Sequence, residues 1–162
     1  MKNTSKIAAG VLIALALASS SPAQLAQKKA LTLEAAKEIA AAAEKEAAAN
    51  KWTMVIAIMD DGGNLLYLER MDGTQIGSIE VATQKARSAI NFKRPTKVFE
   101  DGVAGGRTAL LRLPGAIPVE GGLPLTVDGA IIGSIGASGG MSNQDGMVAK
   151  AGADALAKIA SR

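Results

Sequence analysis

The 162-residue chain contains no histidine and no cysteine, and only four aromatic residues. Without histidine there is no Ser-His-Asp or Cys-His nucleophile pair, and the usual zinc ligand sets are excluded. No metal site is expected. Without cysteine no disulfide can staple the fold, although a domain of this size buries enough apolar surface to do without one. Any chemistry therefore falls to carboxylates, lysines, hydroxyls, backbone dipoles or an imported cofactor. Trp52, Tyr67, Phe92 and Phe99 are too few for the stacking platforms of a nucleic-acid surface, and no dense basic face accompanies them. Nucleic acid is not an expected partner.

Long apolar runs are also missing. The longest, Ile7 to Ala18, has 12 residues, whereas a bilayer core of roughly 30 Å needs about 20. No stable membrane anchor is expected. Lys2 and Lys6 precede this run, and Ser19-Ser20-Ser21-Pro22-Ala23 follows it. A positive start, a short apolar middle and a small-residue end are the three parts of a secretory signal peptide. Residues 1–23 are read as that peptide, with Ala18 as an alternative cleavage point and a periplasmic or secreted destination. Cleavage after residue 23 leaves 139 residues. It removes two of 18 basic and none of 15 acidic residues, so the net charge falls from +3 to +1. Residues 24–30 read as a tail and 31–162 as one domain.

Thr32 is positioned to cap a helix reaching about Asn50, rich in strong helix formers and with Leu33, Ala36, Ile39, Ala40 and Ala43 at helical spacing. Met54 to Met59 and Leu65 to Arg70 read as strands joined by the turn Asp60-Asp61-Gly62-Gly63-Asn64. A second helix is expected from Ser78 to Ile90, then irregular chain to Arg112 with one helical turn near Lys97 to Asp101. Ala116 to Val119 reads as an edge strand. Leu123 to Val127 and Ala130 to Ala137 form a hairpin on the tight Asp128-Gly129 turn. A polar, glycine-rich loop and a helix from Asp145 to about Ile159 complete the chain. Hairpins without crossover helices predict an α+β fold: an antiparallel sheet of about five strands with packed helices, in the order α-β-β-α-β-β-β-α.

The stretch Gly121-Gly122-Leu123-Pro124-Leu125-Thr126-Val127-Asp128-Gly129 continues as Ala130-Ile131-Ile132-Gly133-Ser134-Ile135-Gly136-Ala137-Ser138-Gly139-Gly140. With Gln144-Asp145, Ala149-Lys150-Ala151-Gly152, Arg70-Met71-Asp72-Gly73 and Lys85-Ala86, it resembles the haem-binding GlcG/HbpS-like family, which also includes the carboxy-terminal domain of PduO-type proteins. The resemblance spans about Leu31 to Ile159. It implies a profilin-like sheet-and-helix domain, self-association to dimers or octamers, and haem as cofactor in some members. The same glycines do not spell a dinucleotide or Walker loop, because neither Gly-x-Gly-x-x-Gly nor Gly-Lys-Ser/Thr occurs. Glycines inside a strand more often mark close backbone approach.

Haem held by this chain has to do without histidine. Met71, Met141, Met147, Tyr67 and Thr108 offer the remaining ligand types, although methionine more commonly fills gaps in packing and Tyr67 sits on an expected strand. Arg107, Arg112 or Lys85 would pair with carboxylates of the ligand. The loop from Ser138 through Gly139 to Asn143 enters a helix and suits a propionate or small acid, unless Asp145 caps its own helix and takes those donors. Arg70, Asp72, Lys85 and Glu120 form a second set, with Lys85, Asp72 and Glu120 as candidates for acid–base work on a small organic acid or as a salt-bridge network. Lys85 is expected to reach the rim of its helix. The leading expectation is an exported oligomeric protein that binds haem or a related acid-bearing apolar molecule. An enzyme or enzyme accessory for a small acid, and a mainly structural oligomer, remain as alternatives.

Overall fold

The computed structural model describes residues 24–161; the expected signal peptide lies outside the described residues. The elements are α1 (Leu33–Ala49), β1 (Val55–Asp60), β2 (Leu65–Arg70), α2 (Gly77–Phe92), α3 (Lys97–Ala104), a 3-10 turn (Thr108–Arg112), β3 (Gly122–Val127), β4 (Ala130–Ser138) and α4 (Ser142–Ala160). β1 reads Val-Ile-Ala-Ile-Met-Asp and is buried at every residue but the last. A continuous apolar run of this kind suits only a strand covered on both faces. β1 accordingly lies inside an antiparallel four-stranded sheet of order β2-β1-β4-β3.

Side chains alternate across the pleat, so β1 feeds two cores. Ile56 and Ile58 join Ile39, Ala40, Leu125, Ile135, Val148 and Leu156 on the face covered by α1 and α4. Val55, Ala57 and Met59 meet Ala82 and Ala86 of α2 on the other. On β4, a Cβ at Gly136 would lie 2.1 Å from the Ala82 carbonyl oxygen. The strand glycine thus marks close approach of α2 to the sheet, the role such glycines commonly have. Thr32 caps α1, its side chain accepting from the Ala35 N–H. Asp128 and Gly129 both adopt positive φ, 50° and 77°, as a tight primed hairpin turn requires.

Three details differ from the sequence expectation. Residues 116–119 form no strand, so the sheet has four strands and not five. Pro118 has no N–H to give a ladder, and the Ile117 N–H is donated to Ser88 Oγ of α2 at 3.2 Å. The segment before it is more helical than expected, containing all of α3 and the 3-10 turn. Finally, α4 begins at Ser142, and Asp145 lies within its first turn without capping it. The Met141 N–H is satisfied by Gln144 Oε1 at 2.9 Å.

Candidate functional site

Ala82, Lys85, Ala86 and Ala89 recur at the spacing of one helix face, and all four are buried. Lys85 is fully buried, so its ammonium does not reach the rim. It donates to Asp145 Oδ2 at 2.6 Å and to the Ala137 carbonyl at 3.2 Å. Asp145 is itself buried and accepts the Gly140 N–H at 3.0 Å through its other oxygen. Burial pushes the Asp145 carboxyl above its ordinary range, against the opposing pull of Lys85 and of the Gly140 and Gly139 amides. The pair ties α2, the end of β4 and the first turn of α4 into one unit. It also uses donors of the Ser138–Asn143 loop that a ligand anion would need.

Gly121 covers this pair. A Cβ there would lie 2.9 Å from Lys85 Nζ, 2.8 Å from Asp145 Cβ and 2.7 Å from the Ala137 oxygen, and its φ of 125° is one that side chains rarely adopt. On the outer side, Gly121 and Gly122 are the floor of a cleft of about 330 Å³, walled by Pro95, Lys97 and Val98 of the α3 segment and by Gly146 and Lys150 of α4. Glu120 enters it from the side and is placed by its own N–H, which donates to Glu100 Oε2 at 2.5 Å.

A second pocket, of about 240 Å³, opens between the end of α2, α3 and the 3-10 turn. Phe92, Arg94, Val98, Phe99, Gly102, Arg107, Leu110 and Leu113 line it. The rings of Phe92 and Phe99 meet edge to face at 5.2 Å. The Arg94 guanidinium stands 6.0 Å over the Phe99 ring and donates from Nε to the Phe92 carbonyl at 3.0 Å. No carboxylate lines this pocket, so among the described residues two guanidiniums face an apolar, aromatic floor without an acid.

The expected site residues scatter around these features. Arg107 lines the aromatic pocket, with Thr108 next in the chain and Arg112 exposed one turn on. Tyr67 and Met71 are half-buried against the α1/α4 core, away from that pocket. The Tyr67 hydroxyl donates to Glu69 Oε2 at 2.9 Å, which raises the phenol above its ordinary range. Ser138 is buried and bonded to Ser78 Oγ at 3.2 Å. The Gly139 carbonyl accepts from Gln75 Nε2 at 3.3 Å. Met141 and Met147 are exposed. Of Arg70, Asp72 and Glu120, none pairs with Lys85; Asp72 and Arg70 are exposed, and Glu120 faces Lys97 at 3.7 Å. Sequence reasoning missed Asp145 as the partner of Lys85. The helical spacing of Ala82, Lys85, Ala86 and Ala89 was the available sign that this lysine points inward and needs a buried acid. Arg94 was missed because nothing local links it to Arg107.

Comparison with known proteins adds a consistent frame. The model of the family described as haem degrading protein HbpS-like matches residues 31–154. Protein GlcG of Escherichia coli K12 is 45% identical over 111 residues, covering 68% of this chain and 83% of its own. Among solved structures, a double mutant of HbpS from Streptomyces reticuli superposes with a TM-score of 0.74 at 33% identity, covering 85% of this chain and 98% of its own. A PduOC:haem complex superposes with a TM-score of 0.71 at 29% identity, covering 78% and 95%.

Proposed function

This chain belongs to the HbpS-like family, and on that premise we propose that it is an exported, self-associating protein that binds haem or a related apolar molecule bearing carboxylates. The observation that carries the reading is the aromatic pocket with Arg94 and Arg107 at its mouth and no acid in its lining. Guanidiniums pair with carboxylates in a planar, two-bond geometry, and Arg94 spends only Nε on the protein, leaving its remaining N–H groups for a ligand. The relatives named as haem proteins or crystallised with haem support the ligand class.

The residues fit haem in a particular way. The propionates would be held by Arg94 and Arg107, and the apolar edge by Phe99, Leu110 and Leu113. A volume of about 240 Å³ accommodates an edge of the macrocycle, and exposed Val98 and Leu111 extend the apolar surface on the same elements. Thr108 is the ligand type that the chain places beside Arg107; Tyr67 is engaged by Glu69, and Met71 packs on the opposite core. Binding on this reading rests on carboxylate pairing and apolar burial, with Thr108 as the candidate at the iron. The alternative, acid–base chemistry by Lys85, has less support, since Lys85 is sealed beneath Gly121 and paired with Asp145.

The test is a haem titration of the exported protein without a histidine tag, following the Soret band and the oligomer mass together. A saturable, stoichiometric shift is expected. Arg94→Ala and Arg107→Ala should each weaken binding about tenfold or more, as loss of a charge-assisted hydrogen bond does. No saturable shift, or variants that bind as tightly as the wild type, would overturn the assignment.

A further inference from the structure

Glu120 is a carboxylate without a matching donor. Its side chain is only 22% exposed, and it lies flat on the backbone of α4: a Cβ at Gly146 would stand 2.3 Å from Oε1 and 2.7 Å from Cδ. Gly146 thus makes room for the carboxylate. Among the described residues no group hydrogen-bonds to it; the charge that faces it is Lys97, at 3.7 Å from Oε2. Lys97 is already committed to Asp101 at 2.8 Å. A carboxylate three-quarters removed from water gains most from a charged donor, because hydrogen bonds to ionised groups are the strong ones.

The surroundings narrow what that donor belongs to. Pro95, Val98 and Leu123 give the cleft an apolar wall, and Gly121 and Gly122 give it a bare floor. Lys150, four residues after Gly146 and so on the same face of α4, also lines the cleft and is paired with Asp154 at 2.6 Å. Of the four charges lining the cleft, Lys97 and Lys150 hold short bonds to acids, and Asp101 is the acid that Lys97 holds. Glu120 is the one without a short bond, its counter-charge Lys97 standing 3.7 Å from Oε2.

We propose that this cleft is a second small-molecule site, adjoining the aromatic pocket across Val98, for a primary amine with a compact apolar body, with Glu120 as counter-ion to its ammonium. The ammonium brings the hydrogen-bonding N–H donors that Lys97, at 3.7 Å from Oε2, does not supply to Glu120. The body lies against Pro95, Val98 and Leu123, and a volume of about 330 Å³ admits a molecule of amino-acid size. Lys150, one helical turn from Gly146, also lines the cleft and acts as a like charge towards the ligand.

Leucinamide and N-acetyl-leucinamide are suitable probes, one cationic and one neutral, titrated calorimetrically into the exported protein at low ionic strength. Saturable one-to-one binding of leucinamide is expected, with the acetylated compound at least tenfold weaker. Glu120→Gln should cost about tenfold, and Lys150→Gln, which removes the like charge, should tighten binding several-fold. Because Lys150 is exposed, that variant decides the matter even where Glu120→Gln lowers the melting temperature. Absence of saturable leucinamide binding, equal binding of the acetylated probe, or indifference to both substitutions would each overturn the proposal.

Discussion

An ammonium and a carboxylate taken out of water each cost several kcal/mol, which is offset only if they meet in good geometry with their other bonds satisfied. Lys85 and Asp145 meet at 2.6 Å and each makes a further bond to the backbone. The two residues depend on one another. Lys85→Met leaves Asp145 as a buried, unpaired acid and should destabilise the protein by about 3–5 kcal/mol in urea unfolding. Adding Asp145→Asn, which keeps an acceptor for the Gly140 N–H, should recover at least about 1.5 kcal/mol of that loss, within the coupling range of contacting residues. Additive single-site losses would mean that the pair is not the coupled unit described here.

At the scale of elements, the sheet and α2 are fitted backbone to backbone. A side chain at position 136 has nowhere to go, since the Ala82 carbonyl occupies its place and the Ala86 nitrogen is 2.6 Å from the same point. Gly136→Ala should therefore push α2 outward and cost about 1–3 kcal/mol or more, as overpacking does. Gly77, the first residue of α2, has open space where its Cβ would be. Gly77→Ala should be neutral or stabilising by up to about 1 kcal/mol, because alanine orders a helix more readily than glycine. Parallel thermal melts of the two variants separate a packing requirement from a mere glycine preference. The same fitting matters for the site: displacement of α2 also moves Lys85 from Asp145, so Gly136→Ala should loosen the wall behind Gly121 as well.

For the molecule as a whole, two hairpin turns hold the tail. Lys28 pairs with Asp61 of the β1–β2 turn, and Lys29 with Asp128 of the β3–β4 turn at 2.6 Å. The tail leads into Leu31, which is buried against an apolar pocket of about 310 Å³ between α1 and the end of α4. Both pairs involve largely exposed lysines, and exposed pairs add little to stability. The double variant Asp61→Asn/Asp128→Asn should leave the unfolding free energy within about 1 kcal/mol while trypsin cuts faster after Lys28 and Lys29. Unchanged cleavage would show that Leu31 alone holds the tail. Among the described residues no helix is long and apolar enough to cross a membrane.

Local chemistry made much of this legible in advance. Periodicity placed α1 and α2, the Asp128-Gly129 pair placed the second hairpin, and the ordered motifs from Gly121 to Gly140 carried the family. These signals are local because caps, turns and helix faces depend on neighbours a few residues away. The pairings that make the sites were not legible. Lys85 lies 60 residues from Asp145, Arg94 is 13 positions from Arg107 across a helix, and Glu120 reaches Gly146 only because α4 packs beside β3. The missing fifth strand belongs with these, since Ile117 gave its N–H to Ser88 of a distant helix. Sequence determined where α1, α2 and the four strands form and which residue types exist to do chemistry. Tertiary structure decided which charges meet, because the partner of a buried or half-buried charge is set by how the layers pack and not by spacing along the chain.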